Sequence, residues 1–327
     1  MPLSSNSVFG VRPMTEAINK LPATPSIIRE LGIFKPKYHS TTFVRLGEKN
    51  RKLNLVPAVP RGTPGEPVEA EYNHIGNFDM LHLPKHDVVL ADDVQNLAAW
   101  GSDNKPAAVA DLVNEKLADM KADIEHTREH LMFGALQGKI LNADGTELVD
   151  IYRRFGLNRH KAAFSAAAAA NITVELEKLK SYGRSKRNGE HVSGWICLCS
   201  SELFEAIISH KSMVDIYLRY QEAKAYREGF DGHFETAGVE FVLYDEEFAS
   251  KAKIKAKQGV ILPKGTQNTF FEHFAPANMN GAVNARAQPY YASREKFGHE
   301  GGWDLKAQSN PLPLVHRPEL VFDVAVA

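Results

Sequence analysis

Between Pro106 and Gln137 the apolar and small residues fall at Val113, Leu117, Met120, Ile124, Thr127, Leu131 and Gly134, so the spacing alternates between four and three. That period predicts one helix over residues 106–137, with Ser102, Asp103 and Asn104 as N-cap candidates and Pro106 in the first turn. A helix of about 30 residues spans roughly 45 Å and reads as a rod to which other pieces attach.

Elsewhere the period is two. TTFVRLGEKNRKLNLVPAV contains two strand-like runs, FDMLHLPKHDVVL another, and the Pro- and Gly-dense PRGTPGEPV lies between them. Together they predict a two-stranded excursion with a stiff tip. An isolated hairpin of that size is marginal in water, so it must lie on another surface. After Gly138, KILNADGTELV reads as a hairpin, with Asp144 and Gly145 supplying the positive φ angles of a tight turn. SAAAAAN and TVELEKLKSYG suggest helix, and GRSKRNGEHVSG a polar, basic loop. WICLCS, SELFEAIISHKSMVDIYLRY and VEFVLYD then read as strand, helix and strand. The closing DLKAQSNPLPLVHRPELVFDVAVA reads as a long bent strand, or strand pair, finishing in a core. The first 40 residues are broken by Pro2, Pro13, Pro22, Pro25 and Pro36 around a short helical candidate, Met14–Lys20. They predict an arm that gains order only against something else. The fold class is α+β, with no internal repeat and no linker between independent domains.

Composition narrows the function classes. The chain has 327 residues, 43% hydrophobic and 24% charged, with a formal charge of -1. That balance argues against a dedicated nucleic-acid binder, which carries a basic excess. No apolar run approaches the ~18 residues of a membrane span, and the first residues lack a secretory pattern. Alternation puts Cys197 and Cys199 on one strand face about 7 Å apart, poor disulfide geometry. They read as reduced, buried thiols, which suits a cytosolic origin.

Candidate chemistry is thin. His126-x-x-Glu129-His130 matches the inverted zinc-peptidase signature, with the histidines as ligands and Glu129 as base. On the helical wheel, however, His130 falls about 100° from the apolar stripe, His126 about 140°, and Glu129 nearly opposite. All three are expected on the solvated flank, and nothing singles out a third ligand such as Glu202. NADG is no calcium loop, because aligning Gly145 with the EF-hand glycine puts Ile140 and Ile151 at ligand positions. There is no P-loop, dinucleotide fingerprint or GxSxG. Ser200 and Ser201 read as a helix N-cap rather than a nucleophile. Arg184, Lys186 and Arg187 read as a solvated basic loop. An arm, an excursion and a rod that all need partner surfaces imply an obligate assembly.

Six segments, in order over most of the chain, carry a resemblance: MTEAINKLPATPSIIRELGIF, LNLVPAVPRGTPGEP, ADDVQNLAAWGS, TREHLMFGALQGKILNADGTELVDIYRRFG, LCSSELFEAIISHKSMVDIY and the final APANMNGAVNARAQPYYASREKFGHEGGWDLKAQSNPLPLVHRPELVFDVAVA. They resemble the lambda-type major capsid proteins of tailed bacteriophages, the phage major capsid protein E family, which have the Hong Kong 97-type capsid fold. The resemblance implies an N-terminal arm (1–40) and an extended loop (41–95) lying across a neighbouring subunit. It implies a peripheral domain from 96–160, with spine helix and hairpin, and 286–327, with the C-terminal strands. Residues 161–285 would form an axial domain around the five-fold and six-fold axes.

The same resemblance implies a non-enzymatic protein without cofactor or metal that assembles in the host cytoplasm and ends in the virion. Its partners would be copies of itself in pentamers and hexamers, a separate scaffolding protein, a portal protein, a decoration protein, and packaged double-stranded DNA held without sequence specificity. No membrane is involved. Candidate intersubunit contacts lie at the excursion tip: Pro57, Arg61, Pro64 and Glu66. Two rival readings stand beside this one: a nanocompartment shell enclosing an enzyme cargo, and the zinc peptidase.

Overall fold

The long apolar stripe produces the longest element of the computed structural model, a 33-residue helix from Lys105 to Gln137. At 1.5 Å per residue it spans about 50 Å. Gly138, at φ 87°, ends it, and Gly134 lets the chain fold back, since a Cβ there would lie 2.7 Å from the Lys139 carbonyl. The structure describes residues 10–50, 71–93, 105–165, 167, 170–219, 232–246, 254–296 and 301–326. The excursion tip with Pro57, Arg61, Pro64 and Glu66, and the N-cap candidates Ser102, Asp103 and Asn104, lie outside these.

The strands are, in order, β1 (Lys35–Tyr38), β2 (Phe43–Asn50), β3 (Glu71–Asp79), β4 (Leu83–Leu90), β5 (Lys139–Leu141), β6 (Glu147–Asp150), β7 (Lys161–Phe164) and β8 (Gly194–Cys199). They continue with β9 (His233–Thr236), β10 (Val239–Leu243), β11 (Gln258–Lys264), β12 (Phe270–Phe274), β13 (Tyr291–Lys296), β14 (Gly302–Ser309), β15 (Pro311–Val315) and β16 (Phe322–Val326). The chain divides into two units: Met1–Val44, Asn77–Met132 and Phe271–Leu314 form one; Arg45–Gly76, Phe133–Phe270 and Val315–Ala327 the other.

In the first unit, β13, β14 and β4 form an antiparallel sheet. Val89, Ala292, Leu305 and Ala307 from this sheet bury the helix stripe Val109, Val113, Leu117, Met120 and Ile124. Each fully buried Leu, Ile or Val contributes about 1.5–3 kcal/mol, so this seam anchors the rod. The arm joins the same core. Its helix Val11–Lys20 adds Met14 and Ile18, and β1 pairs in parallel with β12. The surface on which the described arm residues gain order is therefore their own chain. β4, read from the sequence as part of the excursion, pairs instead with β14; among the described residues β2 pairs with β3.

The second unit centres on a six-stranded sheet, β7-β16-β11-β8-β10-β9. Both thiols of β8 are buried and free, and the strand is buried along almost its whole length. Leu176, Leu179, Leu203, Phe204 and Ile207 from two helices share its core with Phe241 and Phe322 of the sheet itself. Three local expectations change here. The run SELFEAIISHKSMVDIYLRY is two helices, Ser201–Ile208 and Lys211–Arg219. The break is at His210, whose ring bonds Ser212 Oγ at 2.9 Å and accepts or shares the Ser212 amide at 3.2 Å, a local cap for the second helix. β7 is KAAF, just ahead of the alanine run; the described residues of SAAAAAN are not helical, and helix begins only at Ile172, where Asn171 caps it. In the β5–β6 hairpin only Gly145 takes a positive φ. Asp144 keeps the ordinary sign and accepts from the Thr146 amide and hydroxyl at 2.8 and 2.6 Å. The loop is thus a turn ending in a left-handed glycine, not a two-residue turn with both angles positive.

Candidate functional site

The long helix carries a second stripe, of charge. Lys121, Glu125, Arg128 and Glu129 are spaced by four, three and one, so they share a face. All four are buried. Buried charges survive only when paired and hydrogen-bonded, and the partners here come from the arm and from the chain around β12 and β13.

The arm segment Leu21–Glu30 crosses this face. Lys121 Nζ donates to the Leu21 carbonyl at 2.6 Å. The Thr24 amide donates to Glu125 Oε2 at 2.6 Å, and Arg29 pairs with Glu125 Oε1 at 3.2 Å. Glu129 accepts from the Ser26 hydroxyl and, at 3.0 Å, from the Ile28 amide. It therefore caps the one-turn helix Ile27–Glu30 from about a hundred residues away, where Ser26 makes no cap bond of its own. Beneath the arm, Arg128 Nε and Nη2 grip Glu272 at 2.8 and 2.6 Å. Its third nitrogen donates to the Tyr290 hydroxyl, which donates in turn to Glu125 Oε1 at 2.8 Å.

Three cations (Lys121, Arg128, Arg29) thus meet three carboxylates (Glu125, Glu129, Glu272). Burial alone would raise the Glu125 carboxyl, but the Thr24 amide, the Tyr290 hydroxyl and Arg29 outweigh it and hold its pKa below the usual value. Burial also works against the Arg128 charge; Glu272 overcomes it and raises the pKa. Burial lowers the Lys121 pKa, and the nearby Glu125 offsets this only in part. This is a clasp: it holds a segment of chain by charge-assisted hydrogen bonds.

A second tie lies at β1. His39 Nε2, one residue beyond β1, and His273 Nδ1 on β12 are 2.8 Å apart. The Lys37 ammonium sits 3.4 Å from the Phe271 ring centroid. Burial lowers the His39 pKa, and Lys37 adds to the effect.

The zinc signature resolves against the wheel in one respect. His126 is exposed as expected, but Glu129 and His130 are buried, and at Glu129 it is the arm that covers the flank that periodicity assigns to solvent. The peptidase reading loses its base all the same, since both Glu129 oxygens accept bonds from the arm. Among the described residues no group of three or more His, Cys, Asp or Glu side chains is placed to hold a metal ion. Ser200 is a helix cap, accepting from the Leu203 amide at 3.3 Å. Arg184 and Lys186 are exposed, while the Arg187 carbonyl accepts from Arg317 at 2.7 Å. Sequence reasoning missed the clasp, although its signal was present: four charged residues repeating with the helical period, which reads as a wet face until something covers it.

Residues 10–326 match the family described as phage major capsid protein E. The major capsid protein of Salmonella phage Felix O1 is 25% identical over 98% of this chain and 97% of its own length. That of Pseudomonas phage KPP10 is 25% identical over 96% and 95%. Among solved structures, the mature capsid of bacteriophage PhiM1 matches with a TM-score of 0.52 at 13% identity, covering 94% of this chain and 89% of that one. The capsid of Ralstonia phage GP4 matches with a TM-score of 0.51 at 11% identity, covering 86% and 82%.

Proposed function

This chain belongs to the phage major capsid protein E family, and from that membership we propose how it does its work. It is a phage major capsid protein with the Hong Kong 97-type fold, and it builds the icosahedral head shell of the virion. The observation that carries this is the family match from residue 10 to residue 326. In our reading the shell is assembled from pentamers and hexamers of this one chain around a separate scaffolding protein. Packaging through a portal protein fills it with double-stranded DNA, and a decoration protein binds outside. A formal charge of -1 suits a wall that encloses DNA without gripping it, since strong binding needs many cationic contacts.

The parts divide as follows in the same reading. Residues 1–40 are the arm, 41–95 the extended loop, 96–160 with 286–327 the peripheral domain, and 161–285 the axial domain. Pro57, Arg61, Pro64 and Glu66 at the loop tip touch a neighbouring subunit. Each contact can be modest, because many contacts close together in a shell. The clasp supports a structural role for the rod, which stores its charged residues as grips for chain rather than as reactive groups.

Electron microscopy of the expressed chain, with and without a co-expressed scaffold, tests the reading. Closed shells with scaffold, and aberrant or fewer ones without it, are expected. A compact monomer under every condition overturns it. A nanocompartment would instead close around an enzyme with no need of scaffold or portal.

A further inference from the structure

The sheet β13-β14-β4 has two edges, and along each of them outward backbone groups are taken up by side chains. Ala292 stands opposite Ala307 of β14, yet its amide donates to Thr15 Oγ1 at 3.2 Å and its carbonyl accepts from Thr15 Oγ1 at 3.3 Å. Two positions back, the Tyr290 carbonyl accepts from Asn19 Nδ2 at 2.9 Å. Backbone groups in an antiparallel ladder alternate between neighbours, so residues 290, 292, 294 and 296 face away from β14. The arm helix Val11–Lys20 thus stands where a further strand would pair, and two of its side chains imitate the ladder.

The opposite edge is closed by its own sequence. The outward positions of β4 are 84, 86, 88 and 90, by the same alternation from the β14 register. Position 84 is a proline with no N–H to offer. The Val88 amide donates to Asp87 Oδ1 at 2.7 Å, and the Leu90 amide to Asp93 Oδ2 at 3.0 Å. Lys116 holds the Asp87 carboxylate at 3.0 Å. At positions 84, 88 and 90 this edge offers no amide to another chain, which blunts it. The other is covered at Tyr290 and Ala292 by the arm helix.

We propose that the arm helix is a removable cover on the β13 edge, and that the uncovered edge pairs with the same edge of a second copy of this chain. Outward residues must face outward residues, which leaves few registers. Centring the pair on Arg294 would set two arginines against each other. Centring it on Ser293 sets Ala292 against Arg294, Tyr291 against Glu295 and Tyr290 against Lys296, with no like charges opposed. The two-fold arrangement is self-complementary, as an isologous contact requires. Ser293 would sit in a non-hydrogen-bonded pair, where the two Cα atoms approach to about 4.5 Å, within reach of a disulfide.

That supplies the test, on the full chain. Ser293→Cys is combined with Thr15→Val and Asn19→Ala, which remove the ladder mimicry and leave Met14 and Ile18 in place. Cys197 and Cys199 are buried and do not compete. After mild oxidation the copy-to-copy disulfide is expected to form at least about tenfold faster than with Ser293→Cys alone, since the lost bonds are each worth up to that factor. Adding Arg294→Pro, which removes an outward N–H, should abolish the gain. Equal rates with and without the arm substitutions overturn the proposal, as does a disulfide indifferent to Arg294→Pro. If the double arm variant does not fold, Asn19→Ala alone is compared in the same way. The choice of a second copy rests on the shell-building role. Loss of the cross-link with shells still forming overturns the edge alone, whereas a persistent monomer overturns the role.

Discussion

Arg128 and Glu272, 144 positions apart in sequence, meet through two parallel hydrogen bonds of 2.8 and 2.6 Å with both side chains buried. The pair joins the rod to β12, and the Arg128 guanidinium also lies 5.0 Å from the Phe274 ring centroid.

Removing one member strands the other. Arg128→Ala is expected to cost about 3–5 kcal/mol, because Glu272 is left charged and buried. The double substitution Arg128→Met with Glu272→Leu should come within about 1 kcal/mol of the parent or exceed it, since a packed apolar pair has no desolvation cost to recover. Urea unfolding of unassembled subunits reads both values. Equal losses in the single and double variants would show that the pair is not isolated from its surroundings.

Glu129 is expected to govern the arm and not the core. Glu129→Ala removes the acceptor for Ser26 and Ile28 and should cost about 1–3 kcal/mol. Trypsin should then cut after Lys20 and Arg29 sooner than in the parent, with the second unit unaffected. Unchanged cleavage at both sites would mean that the arm is held elsewhere.

Acid should release the arm in two stages. His39 has a pKa lowered by burial and by Lys37. Its contribution is therefore present above its ordinary value of about 6.5 and lost as pH falls through the lower folded value. Below that, a charged His39 ring would face His273 beside Lys37, with Arg286 nearby over the Tyr38 ring and Glu272 already committed to Arg128. The Glu125 carboxyl is also lowered, so its contribution is full above its ordinary value of about 4.5 and is lost as pH falls through the lower folded value. Amide exchange, corrected for intrinsic rate, should show β1 loosening first and Leu21–Glu30 at more acid pH. Simultaneous release would refute the order.

Ser200→Ala removes the acceptor for the Leu203 amide and should destabilise the second unit by about 1 kcal/mol. Ser200→Asp should restore most of it, as an equally good cap. Denaturant midpoints are the measurement, and a neutral Ser200→Ala would discount the cap.

If Pro57, Arg61, Pro64 and Glu66 contact a neighbour, deletion of Pro57–Pro67 leaves a folded chain that assembles poorly. Normal shells from that deletion, seen by electron microscopy, would remove the tip from the list of intersubunit contacts.

Local patterns reached far in this chain. The four-and-three spacing from Val113 to Gly134 specifies the rod, because a helix needs no distant partner to set its period. Alternation in WICLCS and in the C-terminal run specifies strands, and Ser200 announces a cap, for the same reason. Family membership is legible too, since it rests on segments of sequence in order.

What periodicity cannot supply is cover. Lys121, Glu125, Arg128 and Glu129 read as a solvated flank, and by their own composition they are one. Leu21–Glu30, about a hundred residues earlier, and Glu272 and Tyr290, far later, turn that flank into an interior. The same holds for Thr15 and Ala292, whose exchange closes a sheet edge that no local pattern marks as open. Sequence by itself determined the elements and their apolar faces, which follow from neighbours along the chain. Only the tertiary structure decided which polar faces are buried and which edges are closed, because burial of charge depends on partners that chain folding brings from far away.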